Sequence, residues 1–274
     1  ADLGGMIVGR TVVRDLFTGE QAQRAMSLMS MIFGVAPAIA PITGGWLLGW
    51  SSWRAVFWLL TGMAVALALA VGLLLPETHP AARRTPLRVG ALVGALVDST
   101  RDPAVRRLVA VSSFNFAGLF TYIAAAPIIV VTHWGMGASD FGWLFVPVVT
   151  AMITGSWLTG RLAGRIPPSR FLTLGFGCAT LGGLIQLGLD AGGVSGPPLG
   201  LVGPTLTGLG IALVFPIVTL VLLELRPRNR GTLSSLQSFS NTLLNAVLSG
   251  VLVALVAGSM WMLTALSLTF SVLG

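Results

Sequence analysis

Gly34-Val-Ala-Pro37-Ala-Ile-Ala-Pro41-Ile-Thr-Gly44-Gly45 forms the centre of an uncharged run that extends over residues 25–49. The run is long enough to cross the hydrocarbon core of a bilayer as a helix, which takes about 20 residues. Prolines inside a helix remove backbone donors, and membrane helices tolerate this where neighbouring helices satisfy the freed carbonyls. The stretch therefore predicts a bent transmembrane helix.

Small and helix-bending residues share one face of this predicted helix. They recur at helical spacing, which lets a second helix approach that face closely; they are Ser30, Gly34, Pro37, Pro41 and Gly45. Spacing alone leaves two interpretations open: the ordinary packing of any membrane bundle, or a functional motif.

The composition is that of an all-α integral membrane protein. Hydrophobic residues make up 54% of the chain and charged residues only 9%, against roughly a quarter charged in soluble domains. The net charge of +7 comes from sixteen arginines spread along the chain, so no basic domain is available for nucleic acid. Cys178 is the single cysteine and two histidines lie far apart, so we predict no metal site and no cofactor.

The apolar runs predict seven complete transmembrane helices and two partial ones. They cover residues 1–17 (partial), 25–49, 55–76, 108–132, 141–160, 171–189, 199–223, 231–256 and a last, incomplete helix from Trp261. The polar connection 77–107 separates residues 1–76 from residues 108–274, and its apolar positions near Leu92 and Leu96 predict a short helix on the membrane surface. We expect three parts: a first helix group, this connection, and a second helix group.

The arginines predict the orientation in the membrane. Fifteen of the sixteen lie in alternate connections, and only Arg54 lies on the other side. Under the positive-inside rule the arginine-rich side is cytoplasmic. Arg10, Arg14 and Asp15 then mark the cytoplasmic end of the first helix, and we expect a multi-pass protein of the cytoplasmic membrane.

Ala40-Pro41-Ile-Thr-Gly44-Gly45, preceded by Gly34, resembles the antiporter motif on the fifth helix of proton-coupled drug exporters in the major facilitator superfamily. That motif reads Gly-Pro-x-x-Gly-Gly, and Ala40 departs from it in a way that is similar to the Bcr/CflA branch, which includes bicyclomycin and chloramphenicol exporters. The resemblance implies that the motif residues are Gly34, Pro37, Pro41, Gly44 and Gly45.

Further stretches resemble the same branch along nearly the whole chain. They are Arg14-Asp15-Leu, Leu75-Pro76-Glu77-Thr78 and Ser113-Phe-Asn-Phe-Ala-Gly-Leu-Phe120 with Ala126-Pro127. The resemblance implies the major facilitator fold of two six-helix bundles, here running from helix four to helix twelve and truncated at both ends. It also implies a monomer that exports small amphipathic compounds by alternating access, driven by proton influx.

Polar faces on apolar helices predict the substrate cavity, because buried polar groups without partners are costly. One face recurs along residues 234–249, and another joins Ser112, Asn115 and Tyr122. Hydrogen bonds between helices account for the same pattern equally well. The candidate cavity residues are Asn115, Tyr122, Gln237, Asn241 and Asn245.

Proton coupling calls for a carboxyl group at membrane depth. Asp2 is the candidate, since it lies about 12 Å along a helix from Arg10. Asp140 and Asp190 fall at the predicted outer ends of helices, and Glu224 falls at an inner end.

Three other functions remain open from the sequence. The same fold could export an endogenous metabolite, or act as a membrane sensor without transport. Gly193-Val-Ser195-Gly196 matches the nucleophile turn of a rhomboid-like intramembrane protease. Catalysis there needs a histidine base, for which only His133 is available on that side, so we expect no enzymatic activity.

Overall fold

The computed structural model describes residues 12, 40, 43–75, 89–162, 165–226 and 229–274. The regular structure in these ranges is helical. The principal helices are α1 (Trp53–Leu74), α2 (Val89–Arg101), α3 (Pro103–Pro127), α4 (Gly142–Arg161), α5 (Pro168–Ala191), α6 (Val202–Leu225), α7 (Arg230–Val247) and α8 (Met260–Leu273). Residues 43–50 are also helical.

The predicted class of fold, an all-α membrane protein, is confirmed. Within the described residues, six helices are long and apolar enough to span a bilayer. Their bounds are Trp53–Leu74, Pro103–His133, Gly142–Arg161, Pro168–Ala191, Leu199–Leu225 and Gly231–Val256. Each coincides, within a few residues, with a run predicted from hydropathy. The predicted helix over residues 1–17 and most of that over 25–49 lie outside the described residues.

Two helices extend beyond their α-helical part through a π-helical segment. The first segment, Ile128–His133, continues α3 directly after Pro127. The second, Leu248–Leu252, joins α7 to a short helix at Val253–Val256. These turns carry an extra residue, so they change the face that the downstream residues present.

The chain divides into two compact units, Ala1–Arg88 and Val89–Gly274. In the first unit, α1 has no buried residue, and Leu73 and Leu74 are each 80% exposed. A helix that is apolar on every face is suited to lipid or to contacts with other membrane helices. The predicted division at residues 77–107 stays a prediction.

In the second unit, α3 is the central helix and packs against α6, α7 and α8. α5 packs against α6 and α8, and α4 packs against α6. Much of α3 is buried, including large side chains such as Leu119 and Tyr122. Its polar side chains therefore point into the interior of the bundle or towards neighbouring helices.

Glycines bring α4, α5 and α6 into close contact. A Cβ atom added at Gly175 of α5 would meet Val214 Cγ2 and would lie 2.7 Å from the carbonyl oxygen of Gly210 in α6. A Cβ atom added at Gly155 of α4 would lie 2.7 Å from Ala212 Cβ. Only glycine allows this backbone approach, as is common between membrane helices.

The first turn of α3 is held by an acidic cap. Asp102 Oδ1 accepts a hydrogen bond from the backbone N–H of Ala104 at 2.9 Å, and Pro103 occupies the first helical position. Arg226, which follows α6, donates to Asp102 Oδ2 at 3.2 Å. The Ala104 N–H and, beyond it, the Arg226 guanidinium lower the pKa of Asp102. This contact joins the ends of α3 and α6.

Candidate functional site

A buried polar junction connects α3, α6 and α7. The side-chain nitrogen of Gln237 donates to Ser112 Oγ at 2.6 Å and to Thr219 Oγ1 at 2.9 Å. Gln237 is 4% exposed and Ser112 is fully buried. The sequence placed Gln237 and Ser112 on polar faces of separate helices, and the structure brings these faces together. The predicted role of Gln237 in a substrate cavity stays a prediction.

A groove of about 530 Å³ lies beside this junction, between α3 and α7. Its lining is largely apolar and includes Phe114, Leu243, Leu244 and Val247. The polar members of the lining are Thr100, Arg106, Ser113 and Ser240. Ser113 Oγ donates to Asn241 Oδ1 at 2.7 Å. A largely apolar groove with a few polar groups is suited to an amphipathic small molecule.

Asn241 and Asn245 lie on α7, as predicted, and both are half-buried. Asn245 Oδ1 is buried and has no hydrogen-bond partner. The predicted stripe does not continue to Ser249, which is exposed, whereas Leu248 beside it is fully buried. The π-helical segment begins at Leu248, and its extra residue interrupts the α-helical spacing on which that part of the prediction was based.

An aromatic surface lies on the α6 side of α3. The rings of Phe116 and Phe120 are stacked with centroids 6.2 Å apart, and Phe215 of α6 lies 6.2 Å from Phe116. All three side chains are half-buried. This aromatic surface at Phe116 and the groove that includes Phe114 thus lie on different sides of the same helix.

Asn115 and Tyr122 are buried in the interior of the bundle, with 1% and 2% exposure. Neither amide atom of Asn115 has a hydrogen-bond partner, and neither has the Tyr122 hydroxyl. A Cβ atom added at Gly203 of α6 would lie 3.1 Å from that hydroxyl, so Tyr122 reaches the beginning of α6. The burial separates both side chains from the groove, and their predicted contact with substrate stays a prediction.

A buried carboxyl group lies at the end of α5. Asp190 is 9% exposed and accepts hydrogen bonds from Gln186 Nε2 at 2.9 Å and from Thr264 Oγ1 at 2.6 Å. The sequence placed Asp190 near the end of its helix, and this position is correct. Its burial was not predicted, because Thr264 lies far away in the sequence. The helical spacing of Gln186 and Asp190 was the signal available.

Several predicted site residues lie outside the described residues. They are Asp2, Arg10, Arg14, Asp15, Gly34, Pro37 and Pro41. Of the motif, the structure describes Gly44 and Gly45. Gly45 is buried, Gly44 is half-buried, and no described atom lies within 4 Å of a Cβ position built at Gly44.

The structure does not support a protease site at Ser195. Its carbonyl oxygen accepts a hydrogen bond from Trp134 Nε1 at 2.6 Å, and His133 Nε2 lies 3.0 Å from the carbonyl oxygen of Ala257. In the described ranges His133 makes no hydrogen bond to Ser195, as a nucleophile and base require. Across the same ranges there is also no group of three or more His, Cys, Asp or Glu side chains placed to hold a metal ion.

Membrane-length helices with polar groups directed into a bundle define a multi-pass membrane protein. The chain belongs to the Major Facilitator Superfamily, whose family model matches residues 3–249. The resemblance inferred from the sequence motifs is confirmed.

Curated relatives place the chain close to named resistance proteins. It is 28% identical over 179 residues to a bicyclomycin resistance protein homolog of Haemophilus influenzae, covering 65% of this chain and 45% of that protein. It is 28% identical over 245 residues to multidrug resistance protein D of Escherichia coli, covering 85% of this chain and 57% of that protein. It is 31% identical over 172 residues to an uncharacterized MFS-type transporter of Bacillus subtilis, YdgK, covering 62% of this chain and 43% of that protein. The chain thus spans about half the length of the curated relatives it matches.

Proposed function

We propose that the protein exports small amphipathic compounds across the cytoplasmic membrane by alternating access, coupled to proton influx. The superfamily match over residues 3–249 carries the proposal. Its support is the similarity to proteins named for bicyclomycin resistance and multidrug resistance. The placement of fifteen arginines in alternate connections supports an orientation with those connections in the cytoplasm.

The groove between α3 and α7 is the proposed contact surface for the substrate. Its apolar side chains favour a ligand with a large apolar part, and the hydroxyl group of Ser240 offers a hydrogen bond to the ligand's polar groups. Arg106 is the charged residue in its lining, which favours a neutral or acidic ligand. Asn241 and Asn245 belong to the same helix and complete this proposed site.

The remaining parts of the proposal come from the sequence. The protein acts as a monomer in the lipid bilayer, binds no nucleic acid and uses the proton as its only coupling ion. Asp2 is the carboxyl group proposed to carry that proton. Gly34, Pro37, Pro41, Gly44 and Gly45 form the face on which the helices of the motif pack during the transport cycle.

Export from cells tests the proposal. The protein is produced in a bacterium without its own drug exporters, and accumulation of bicyclomycin and chloramphenicol is measured with and without a proton gradient. We expect lower accumulation that returns to the control level when the gradient is collapsed. Equal accumulation in producing and non-producing cells, with the protein present in the membrane, would reject drug export.

A pair of tryptophan variants tests the groove. Ser240→Trp fills it with a large side chain, so we expect export to fall to the level of non-producing cells. Leu255→Trp is the matched control, because Leu255 is 74% exposed and is not in the groove lining. Normal export by Ser240→Trp would remove the groove from the substrate pathway.

A further inference from the structure

Asp190 has an unusual environment for a carboxyl group. It is nearly fully buried, and it is the second-to-last residue of α5, at the helix end where the backbone dipole is negative. In the part of the chain that the structure describes, it forms no ion pair.

The groups around Asp190 come from four helices. Gln186 of α5 and Thr264 of α8 bond to it directly, and the backbone N–H of Gly203 in α6 donates to Gln186 Oε1 at 3.0 Å. Among the described residues, Tyr122 of α3 is the titratable neighbour on the packed helices, and its hydroxyl group lies close to the beginning of α6 at Gly203. These contacts hold the carboxyl group without an opposing charge.

The bond between Asp190 and Thr264 suits two protonation states. A threonine hydroxyl both donates and accepts, and a carboxyl group accepts when ionised and donates when protonated. Thr264 Oγ1 and Asp190 Oδ2 lie 2.6 Å apart, within the usual range for O–H···O bonds of either direction. Addition or loss of one proton can therefore reverse the direction of this bond.

A line of buried hydroxyl groups leads from this site along α8. Thr264, Ser267 and Ser271 follow one face of the helix and are 0%, 1% and 3% exposed. Ser267 Oγ donates to the carbonyl oxygen of Gly118 at 2.7 Å, which places the line against α3. A Cβ atom added at Gly118 would lie 2.8 Å from Ser271 Oγ. Polar groups thus continue along the seam between α3 and α8.

Polar atoms without partners lie along the same side of α3 and on α6. They belong to Asn115, Tyr122 and Thr207. A Cβ atom at Gly118 would lie 3.7 Å from Thr207 Cγ2, so Thr207 also borders the seam. Buried polar atoms that lack protein partners are the usual binding sites of internal water.

We propose that Asp190 is a proton-binding site inside the unit Val89–Gly274, reached through water bound along the seam between α3 and α8. Water in the seam delivers a proton to a carboxylate oxygen of Asp190, and the reverse step returns it to water; no other bond forms or breaks. Its use in coupling rests on the proposed transport function, whereas proton binding itself does not.

Infrared spectroscopy of the full chain in lipid membranes tests proton binding directly. The C=O stretch of a protonated carboxyl group is followed over the pH range in which the protein stays folded. We expect a pH-dependent band that is lost in Asp190→Asn, restored in Asp190→Glu and unchanged in Asp98→Asn, whose carboxyl group is exposed. The same band in the wild type and in Asp190→Asn would overturn the proposal, as would its absence from the wild type.

A second variant keeps the test valid if Asp190→Asn does not fold. Thr264→Val leaves the carboxyl group in place and removes its hydroxyl partner. Because the C=O frequency reports hydrogen bonding to that group, we expect the band to shift in Thr264→Val. An unshifted band would overturn the assignment to Asp190.

Transport assays separate this inference from the proposed function. If the band belongs to Asp190 but the wild type exports no drug, the proton site stands and the proposed function fails. If the wild type exports drug and Asp190→Asn retains the whole response to a pH gradient, the coupling role of Asp190 fails and export stands. We expect Asp190→Asn to weaken that response and not to abolish it, because Asp2 is proposed to carry a proton as well.

Discussion

The side-chain nitrogen of Gln237 lies 2.6 Å from the hydroxyl oxygen of Ser112. The two residues are 125 positions apart in the sequence, and their bond links α7 to α3. With its second bond to Thr219, this one amide holds α3, α6 and α7 together. The contact between Gln237 and Ser112 is buried, so the Ser112 hydroxyl cannot replace a lost partner with bulk water.

Gln237→Ala should destabilise the protein. Bonds of this kind contribute about 0.6 kcal/mol on average in membrane proteins and at most about 1.7 kcal/mol, so losing both should cost roughly 1–2 kcal/mol. Thermal unfolding in detergent measures the effect. Thr242→Ala is the control on the same helix, because Thr242 is exposed. Equal stability of the two variants would contradict a structural role for Gln237.

Gly175→Val should disrupt the packing of α5 on α6. The new side chain would meet Val214 and the backbone of Gly210, and overpacking of this kind typically costs about 1–3 kcal/mol. Gly177→Val is matched in chemistry and helix, yet its Cβ would meet nothing within 4 Å. Yield and unfolding temperature should fall for the first variant only. A similar loss in both variants would indicate a helix-propensity effect instead.

Asp102→Asn should lower the stability at neutral pH and have little effect in acid. The pKa of Asp102 is lowered below its ordinary value of 3.8 by the Ala104 N–H and by Arg226. Its contribution is therefore complete above that ordinary value and disappears as pH falls through the lowered pKa of the folded protein. Unfolding temperatures of both proteins, measured across this range, should converge at low pH. A constant difference at all pH values would exclude this carboxylate as the cause.

Gly45→Leu should abolish drug export without preventing insertion into the membrane. Gly45 is buried within its unit, and the motif resemblance gives it a role in close helix packing. Gly49→Leu serves as the control, since Gly49 lies outside the motif on the same helical stretch and its Cβ position is free of described contacts. Export and membrane level are measured for both. Normal resistance in cells with Gly45→Leu would remove this glycine from the mechanism.

Hydropathy predicted the membrane helices well because the bilayer thickness fixes their length. The run over 231–256 coincides with the observed span Gly231–Val256, and the run over 55–76 with Trp53–Leu74. Helix starts were less accurate. α3 begins at Pro103 rather than at residue 108, because its first turn is capped by Asp102 and carries arginines that a hydropathy reading excludes.

The sequence identified the polar residues of the candidate site but not their partners. Gln237 and Ser112 were predicted on separate faces, and only the packing of α3 on α7 shows that they bond to each other. Tyr122 shares a predicted face with Ser112, and both side chains are buried in the bundle. Ser112 bonds to Gln237, whereas the Tyr122 hydroxyl has no hydrogen-bond partner. The π-helical segment at Leu248 likewise ended the predicted polar stripe. Periodicity describes one helix at a time, whereas these features depend on two or more.

The glycine contacts of α6 with α4 and α5 restrict how the second unit can change shape. At Gly155, Gly175 and Gly210, the backbone of one helix lies directly against the backbone or the side chains of the next helix. Sliding one past another would drive carbonyl groups into neighbouring atoms. In a large conformational change, α4, α5 and α6 must therefore move together as one rigid body. Any bending must occur in other helices.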